Sequence, residues 1–244
     1  MAYPTRFPVL CALAFALAPV LVAGCFSSTP EPVYPPAREI KQAPFQRREF
    51  VDAFLQGKWC EAEQRFAAAV QAYLQRDDVC QASYTYLLAW KLKRYVEIDA
   101  PELLENARKF QALGFGCPEN PPVPLTDGPD EVGLSARDRR YREYIARQDY
   151  AGLLEALTKE EDPLYASVYA RKAARQAIDA GRNPQARALV EYARTRDAAQ
   201  GWVVFVREDW RILRRLASSA NEQALIDERL AVLEDIIRPC TPKP

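Results

Sequence analysis

Gln56-Gly57-Lys58-Trp59-Cys60-Glu61-Ala62-Glu63-Gln64-Arg65-Phe66-Ala67-Ala68-Ala69-Val70 is the stretch that decides the fold. Glycine stands where a chain can reverse tightly, and from Trp59 onward Ala62, Phe66, Ala69, Val70 and Tyr73 follow at three- and four-residue steps. That period places them on one face of a helix. Each residue type has a packing reason: glycine permits the turn between antiparallel helices, alanine lets them approach closely, and large aromatics fill the gaps between stacked pairs. Upstream, Phe50, Val51, Phe54 and Leu55 share a helical face of their own. The stretch therefore reads as the second half of a helical hairpin.

The same frame returns at Gly181, with Ala186, Val190 and Ala193 in register and Asn183 in place of the aromatic, and at Gln148-Asp149-Tyr150, followed by Leu153 and Leu157. Gln148 and Gly181 lie 33 positions apart. The pattern resembles the tetratricopeptide (TPR) repeat, about 34 residues long, and the resemblance implies an α-solenoid of antiparallel helical hairpins.

Outward from the first hairpin, the periodicity predicts a helix over about Val79–Glu97, with Tyr84, Leu87, Leu88 and Tyr95 inward, and another over Pro101–Leu113 with Leu103, Leu104, Ala107 and Phe110. Proline at a helix start and Gly114 just past the end match the asymmetry of helix termini. Residues 118–135 then hold five prolines and two glycines, longer than most connections within a domain. Helical signals resume near Ala136 and run to Ile237, with breaks at Asp162-Pro163, Gly181 to Pro184, Gly201 and Ser218 to Asn221. Trp202 to Val206 has β character but is too short and isolated for a sheet. The expectation is an all-α, TPR-like solenoid in two helical units, 45–117 and 136–238, joined by the Pro-rich loop 118–135 and followed by a tail, 239–244.

The N-terminus carries an address. Arg6, the apolar run Phe7 to Val22, and small residues before Cys25 have the layout of an export signal. A retained membrane span needs about 20 apolar residues, and this run is shorter and broken by Pro8 and Pro19. Leu21-Val22-Ala23-Gly24-Cys25 resembles the lipobox of bacterial lipoproteins, which implies a signal peptide over 1–24 and lipid on Cys25, the mature N-terminus. In that family's sorting pattern aspartate after the cysteine favours the inner membrane. Phe26 stands there, so the resemblance implies the periplasmic face of the outer membrane. Residues 25–44, with Pro30, Pro32, Pro35, Pro36 and Pro44, read as an extended tether. The layout of lipobox, tether and first hairpin is similar to BamD-type components of outer-membrane protein assembly and to the pilotins of type IV pili.

Composition narrows the chemistry. The 244 residues contain 33 Lys+Arg, 33 Asp+Glu and no histidine. Charge balance gives no argument for nucleic acid as partner, and the lack of histidine excludes Ser-His-Asp and Cys-His catalysis and histidine-bound zinc. Four cysteines follow Cys25: Cys60, Cys80, Cys117 and Cys240. No C-x-x-C pair suggests a metal, and an even number in an exported chain reads as disulfides. Cys60 and Cys80 open successive helices, and antiparallel neighbours put their starts at opposite ends of a hairpin, about 27 Å apart for 18 residues. A disulfide needs Cα atoms within about 7 Å. Cys80 opens the third helix and Cys117 follows the fourth, so the hairpin brings those two together and leaves Cys60 with Cys240.

Candidate binding aromatics are Tyr84, Tyr86 and Trp90, and Tyr141, Tyr144 and Tyr150, because aromatics anchor protein partners; at helical spacing such residues also serve as core. The arginines from Arg137 to Arg147, and Arg207, Arg211, Arg214 and Arg215, are interleaved with acids and fit solvated, salt-bridged faces. Glu160-Glu161-Asp162 are adjacent and do not face each other, whereas two glycosidic carboxylates must flank one bond. The expectation is a non-enzymatic adaptor without cofactor or metal, bound to the membrane through lipid on Cys25 and holding an envelope protein. The alternatives are a peptidoglycan-acting enzyme or its activator, and a structural lipoprotein without a groove.

Overall fold

A computed structural model describes residues 38–117, 135–238 and 240. The expected signal peptide, Cys25, most of the tether and nearly all of the Pro-rich loop lie outside the described residues. Within them the protein is all-α. The helices are α1 (Arg38–Lys41), α2 (Ala43–Leu55), α3 (Trp59–Leu74), α4 (Val79–Tyr95), α5 (Pro101–Leu113), α6 (Ala136–Ala146), α7 (Tyr150–Thr158), α8 (Pro163–Asp179), α9 (Asn183–Gln200), α10 (Val203–Arg215) and α11 (Ala220–Ile236). The β-flavoured stretch Trp202 to Val206 opens α10, where Val204 and Phe205 are fully buried on a helical face.

From α2 to α5 and from α6 to α11, each helix packs on the next. One turn makes most of these reversals. Gly57, Asp77, Gln148, Gly181 and Gly201 all have positive φ, between +55° and +74°, and the following helix begins two residues on. In each turn the residue after the left-handed one donates its N–H five positions back, as in Lys58 to Ala53, Asp78 to Tyr73, Asp149 to Tyr144, Arg182 to Ala177 and Trp202 to Asp197, at 2.7–3.0 Å. The left-handed residue itself donates three positions back. This is the Schellman closure of a helix, and its last residue also starts the next helix. Asp78 and Asp149 strengthen that start by accepting the N–H groups of Gln81 and Gly152 with their side chains.

Aromatic rings join the first four long helices. Phe54 stacks on Trp59 at 6.0 Å, Phe50 lies 5.4 Å from Phe66, Phe66 meets Tyr86 edge-on at 5.1 Å, and Tyr86 stacks on Phe110 at 5.5 Å. Alanines line the α8–α9 contact: Ala166, Ala170, Ala173, Ala174 and Ala177 of α8 are fully buried, as are Ala186 and Ala193 of α9. Phe50, Phe54 and Ala62 share one buried cluster with Val168, Val204, Phe205 and Ile237. The described residues, which the sequence divides into two helical units, thus fall in one compact unit.

The C-terminal end of the described chain returns to the turn between α2 and α3. Arg238 donates its N–H to the Gly57 carbonyl at 2.9 Å, and a Cβ at Gly57 would stand 3.0 Å from Ile237. Cys60 and Cys240 form a disulfide beside this contact, with Cα atoms 4.7 Å apart. A second disulfide links Cys80 to Cys117 across the α4–α5 hairpin, Cα atoms 5.4 Å apart. In the chain-entropy model the two loops contribute about 5 and about 4 kcal/mol.

Candidate functional site

A cavity of about 590 Å³ is an open cleft between α4 and α8, with α6 along one side. Helical spacing builds its walls: Lys91, Arg94 and Tyr95 project from one stripe of α4, and Val168, Tyr169, Lys172 and Arg175 from one stripe of α8. Arg142 of α6 joins them. An apolar depression of about 320 Å³ continues from it, sharing Lys91, Tyr95, Val168 and Tyr169 and ending at Tyr84, Leu88, Leu164 and Tyr165. The two form one trough, cationic at one end and apolar at the other.

Its polar groups are held in fixed positions. Asp138 is buried against the cleft, and its carboxylate accepts hydrogen bonds from Tyr169 at 2.6 Å and from the hydroxyl and N–H of Ser135, its partner in an N-terminal capping box of α6. Burial opposes its ionisation, but these hydrogen bonds and the Lys91 charge hold its pKa below the ordinary carboxylate range. Burial lowers the Lys91 pKa, and Asp138 opposes that fall. The Lys172 ammonium stands 5.2 Å from the centres of both the Tyr95 and Tyr169 rings, a cation–π position. Burial raises both phenols well above their ordinary pKa, reinforced by the Asp138 charge at Tyr95 and by the hydrogen bond to Asp138 at Tyr169.

Beneath the cleft, Arg171 is buried and donates to Asp197 at 2.7 Å, to Asp209 at 3.0 Å and to Ser167 at 2.8 Å, with its guanidinium 3.9 Å over the Phe205 ring. Asp197 and Asp209 are both fully buried. Burial, relieved by Arg171 and reinforced by Asp197, raises the Asp209 pKa well above its ordinary value. Of the two carboxylates around this arginine, Asp209 is the one whose neutral form burial favours. The group ties α8, α9 and α10 together, with the almost fully buried Arg171 at the floor of the cleft and both aspartates fully buried beneath it.

The sequence-expected binding residues separate. Tyr84 lies at the apolar end of the trough, with Arg47 4.9 Å over its ring, and Trp90 is a buried wall of the cationic end. Tyr86 belongs to the aromatic row on the other side of α4. Tyr141 and Tyr144 border a different depression with Arg140 and Lys159, and Tyr150 is core. Tyr141 is buried and donates to Glu160 at 2.5 Å, and its pKa is pushed up to about 12 by burial and by that carboxylate. Glu160 also pairs with Arg137, and Asp162 caps the start of α8, so these acids serve helix ends. Arg207, Arg211, Arg214 and Arg215 each pair with an acid. Sequence reasoning missed Lys91, Arg94, Lys172 and Arg175. Their signal was basic residues at three- and four-residue steps on two helices that the sequence does not place side by side.

Among the described residues no group of three acidic or cysteine side chains is placed to hold a metal, and no helix is long and apolar enough to cross a membrane. No protein-family model, curated protein or solved structure matches the chain.

Proposed function

We propose that this chain is a lipid-anchored adaptor of TPR-like helical hairpins on the periplasmic face of the outer membrane, where it holds a partner protein of envelope assembly or secretion. The trough between α4 and α8 carries the binding half of this reading. It is open, it is walled by two rigid helices, and its charged and aromatic groups are oriented by hydrogen bonds and ring contacts within the fold. The repeated turn supports the hairpin reading, and the lipobox-like Val22-Ala23-Gly24-Cys25 supports the anchor. Two disulfides suit an oxidising compartment.

Metabolic labelling with a fatty-acid analogue tests the anchor. The wild type takes up label and Cys25→Ala does not; equal labelling of both overturns it. Affinity capture from detergent-solubilised envelopes tests the adaptor. A stoichiometric protein partner is expected, and peptidoglycan turnover by the purified chain would move the reading to an enzyme.

A further inference from the structure

We propose that the end of the α2–α5 hairpins at which α2 starts and α5 stops is a membrane-facing surface, with Phe115 and Leu113 entering the acyl layer and Phe45 and Leu74 at the same edge. It rests on the lipid anchor proposed above and names the face of the fold that meets the bilayer.

Topology is the first ground. Antiparallel hairpins put the start of α2, the end of α3, the start of α4 and the end of α5 together. Ala43 accordingly shares a buried cluster with Ala69, Ala72, Tyr73 and Ala82, against which Phe110 packs. Arg47 donates to Gln81 at 2.6 Å, and Cys80 is bonded to Cys117. Between residues 38 and 117, every exposed large hydrophobic side chain lies at this end: Phe45, Leu74, Leu113 and Phe115. At the opposite end, Val96 and Ala100 flank the α4–α5 turn and are buried.

The exit of the chain is the second ground. Arg38 opens α1 just before α2, and positions 25 and 38 are 13 residues apart, a reach of about 45 Å at most. Lipid on Cys25 would bring this end to the bilayer first, because the Gly57 end lies the length of α2, about 20 Å, away along the helices.

Phe115 is the third ground. Its side chain is 99% exposed and its φ is +54°, a left-handed conformation that glycine would take more easily. The turn around it is braced: Gly116 donates its N–H to the Gln111 carbonyl at 2.9 Å, and Cys117 is tied to α4 by its disulfide. A large apolar ring is thus held out at a fixed place where neither burial nor backbone preference favours it, and acyl chains would supply the burial. Charged residues of both signs, Arg38, Arg76, Asp77 and Asp78 among them, stand at this end. Apolar surface, not charge, sets it apart.

Tryptophan quenching tests this on the full-length protein reconstituted in phosphatidylcholine vesicles with brominated acyl chains. After subtraction of the wild-type signal, emission from Phe115→Trp and Leu113→Trp should lie to the blue and be largely lost to bromine. Emission from Ile236→Trp, at an exposed position next to the Ile237 that packs on Gly57, should be unchanged. Equal melting temperatures check that the variants fold as wild type does. Mass spectrometry of the same samples reads the acyl groups on Cys25 and so reports the anchor separately. Lack of quenching at 115, or equal quenching at 115 and 236, would overturn the proposal whether or not those groups are present. Quenching at 115 without them would leave the lipid-facing end standing and overturn the anchor. A photo-crosslinker at 115 that captures one envelope protein in place of lipid would also overturn the proposal, making this end a protein docking site.

Discussion

Gly57 shows how one residue can be legible for one reason and needed for two. The sequence reads it as the hinge of a hairpin, and its φ of +74° is the left-handed conformation such a turn requires. The chain's far end also passes over it: Ile237 would crowd a Cβ there at 3.0 Å, and Arg238 bonds to its carbonyl. That second role joins positions 180 residues apart, which no local pattern encodes. Asp209 is another residue whose chemistry is set by distant neighbours. Its folded pKa is raised, so the folded state holds a proton that the unfolded chain releases earlier. The stability this contributes is present at low pH and is lost as pH rises through the folded value. Asp209→Asn keeps a neutral side chain there at every pH. Urea unfolding from acid to alkaline pH should show the wild type losing stability relative to Asp209→Asn as pH rises. Parallel curves would mean that the Asp209 pKa is not raised in the folded state.

At the scale of the element, the turn that links helices is more regular than the sequence that encodes it. The glycine frame at Gly57 and Gly181 is readable, and Gln148 is readable by register. The same backbone at Asp77 is not, because aspartate there gives no glycine signal, although φ is +59°. Left-handed backbone costs a non-glycine residue about 1–2 kcal/mol, and glycine gives back part of this gain through unfolded-chain entropy. Asp77→Gly and Gln148→Gly should therefore each stabilise the protein by about 1 kcal/mol, since both side chains are exposed. Thermal unfolding of each variant checks this, and a lowered melting temperature would show that these side chains hold the turn. Helix positions were legible for a related reason: proline and glycine at their ends and apolar periods within them are local signals. The basic stripes on α4 and α8 were visible as residues but not as a site, because their meeting depends on how nonconsecutive helices pack.

Over the whole molecule, helical class and helix order follow from local pattern, whereas the single compact unit depends on the shared cluster around Phe54, Phe205 and Ile237. The separation into two units, suggested by the prolines between 118 and 135, does not anticipate that cluster, because a proline-rich connection says where chain leaves the helices and not where the helices dock. The pairing of Cys60 with Cys240 has a mechanical consequence. It turns everything between those residues into a closed covalent ring, so tension applied between the two termini bypasses the ring and loads the 60–240 link directly. In single-molecule pulling from both ends, the oxidised chain should yield only the length outside the ring. Reduction of both disulfides should release about 600 Å more, at roughly 3.4 Å for each of the 180 residues, while Cys60→Ser, which keeps the Cys80–Cys117 loop of 37 residues closed, should release about 490 Å; equal extensions would show that the ring is open. A protein pulled from its amino end at a membrane would pass that load through the first hairpin and leave α4 and α8, and the trough between them, outside the line of force.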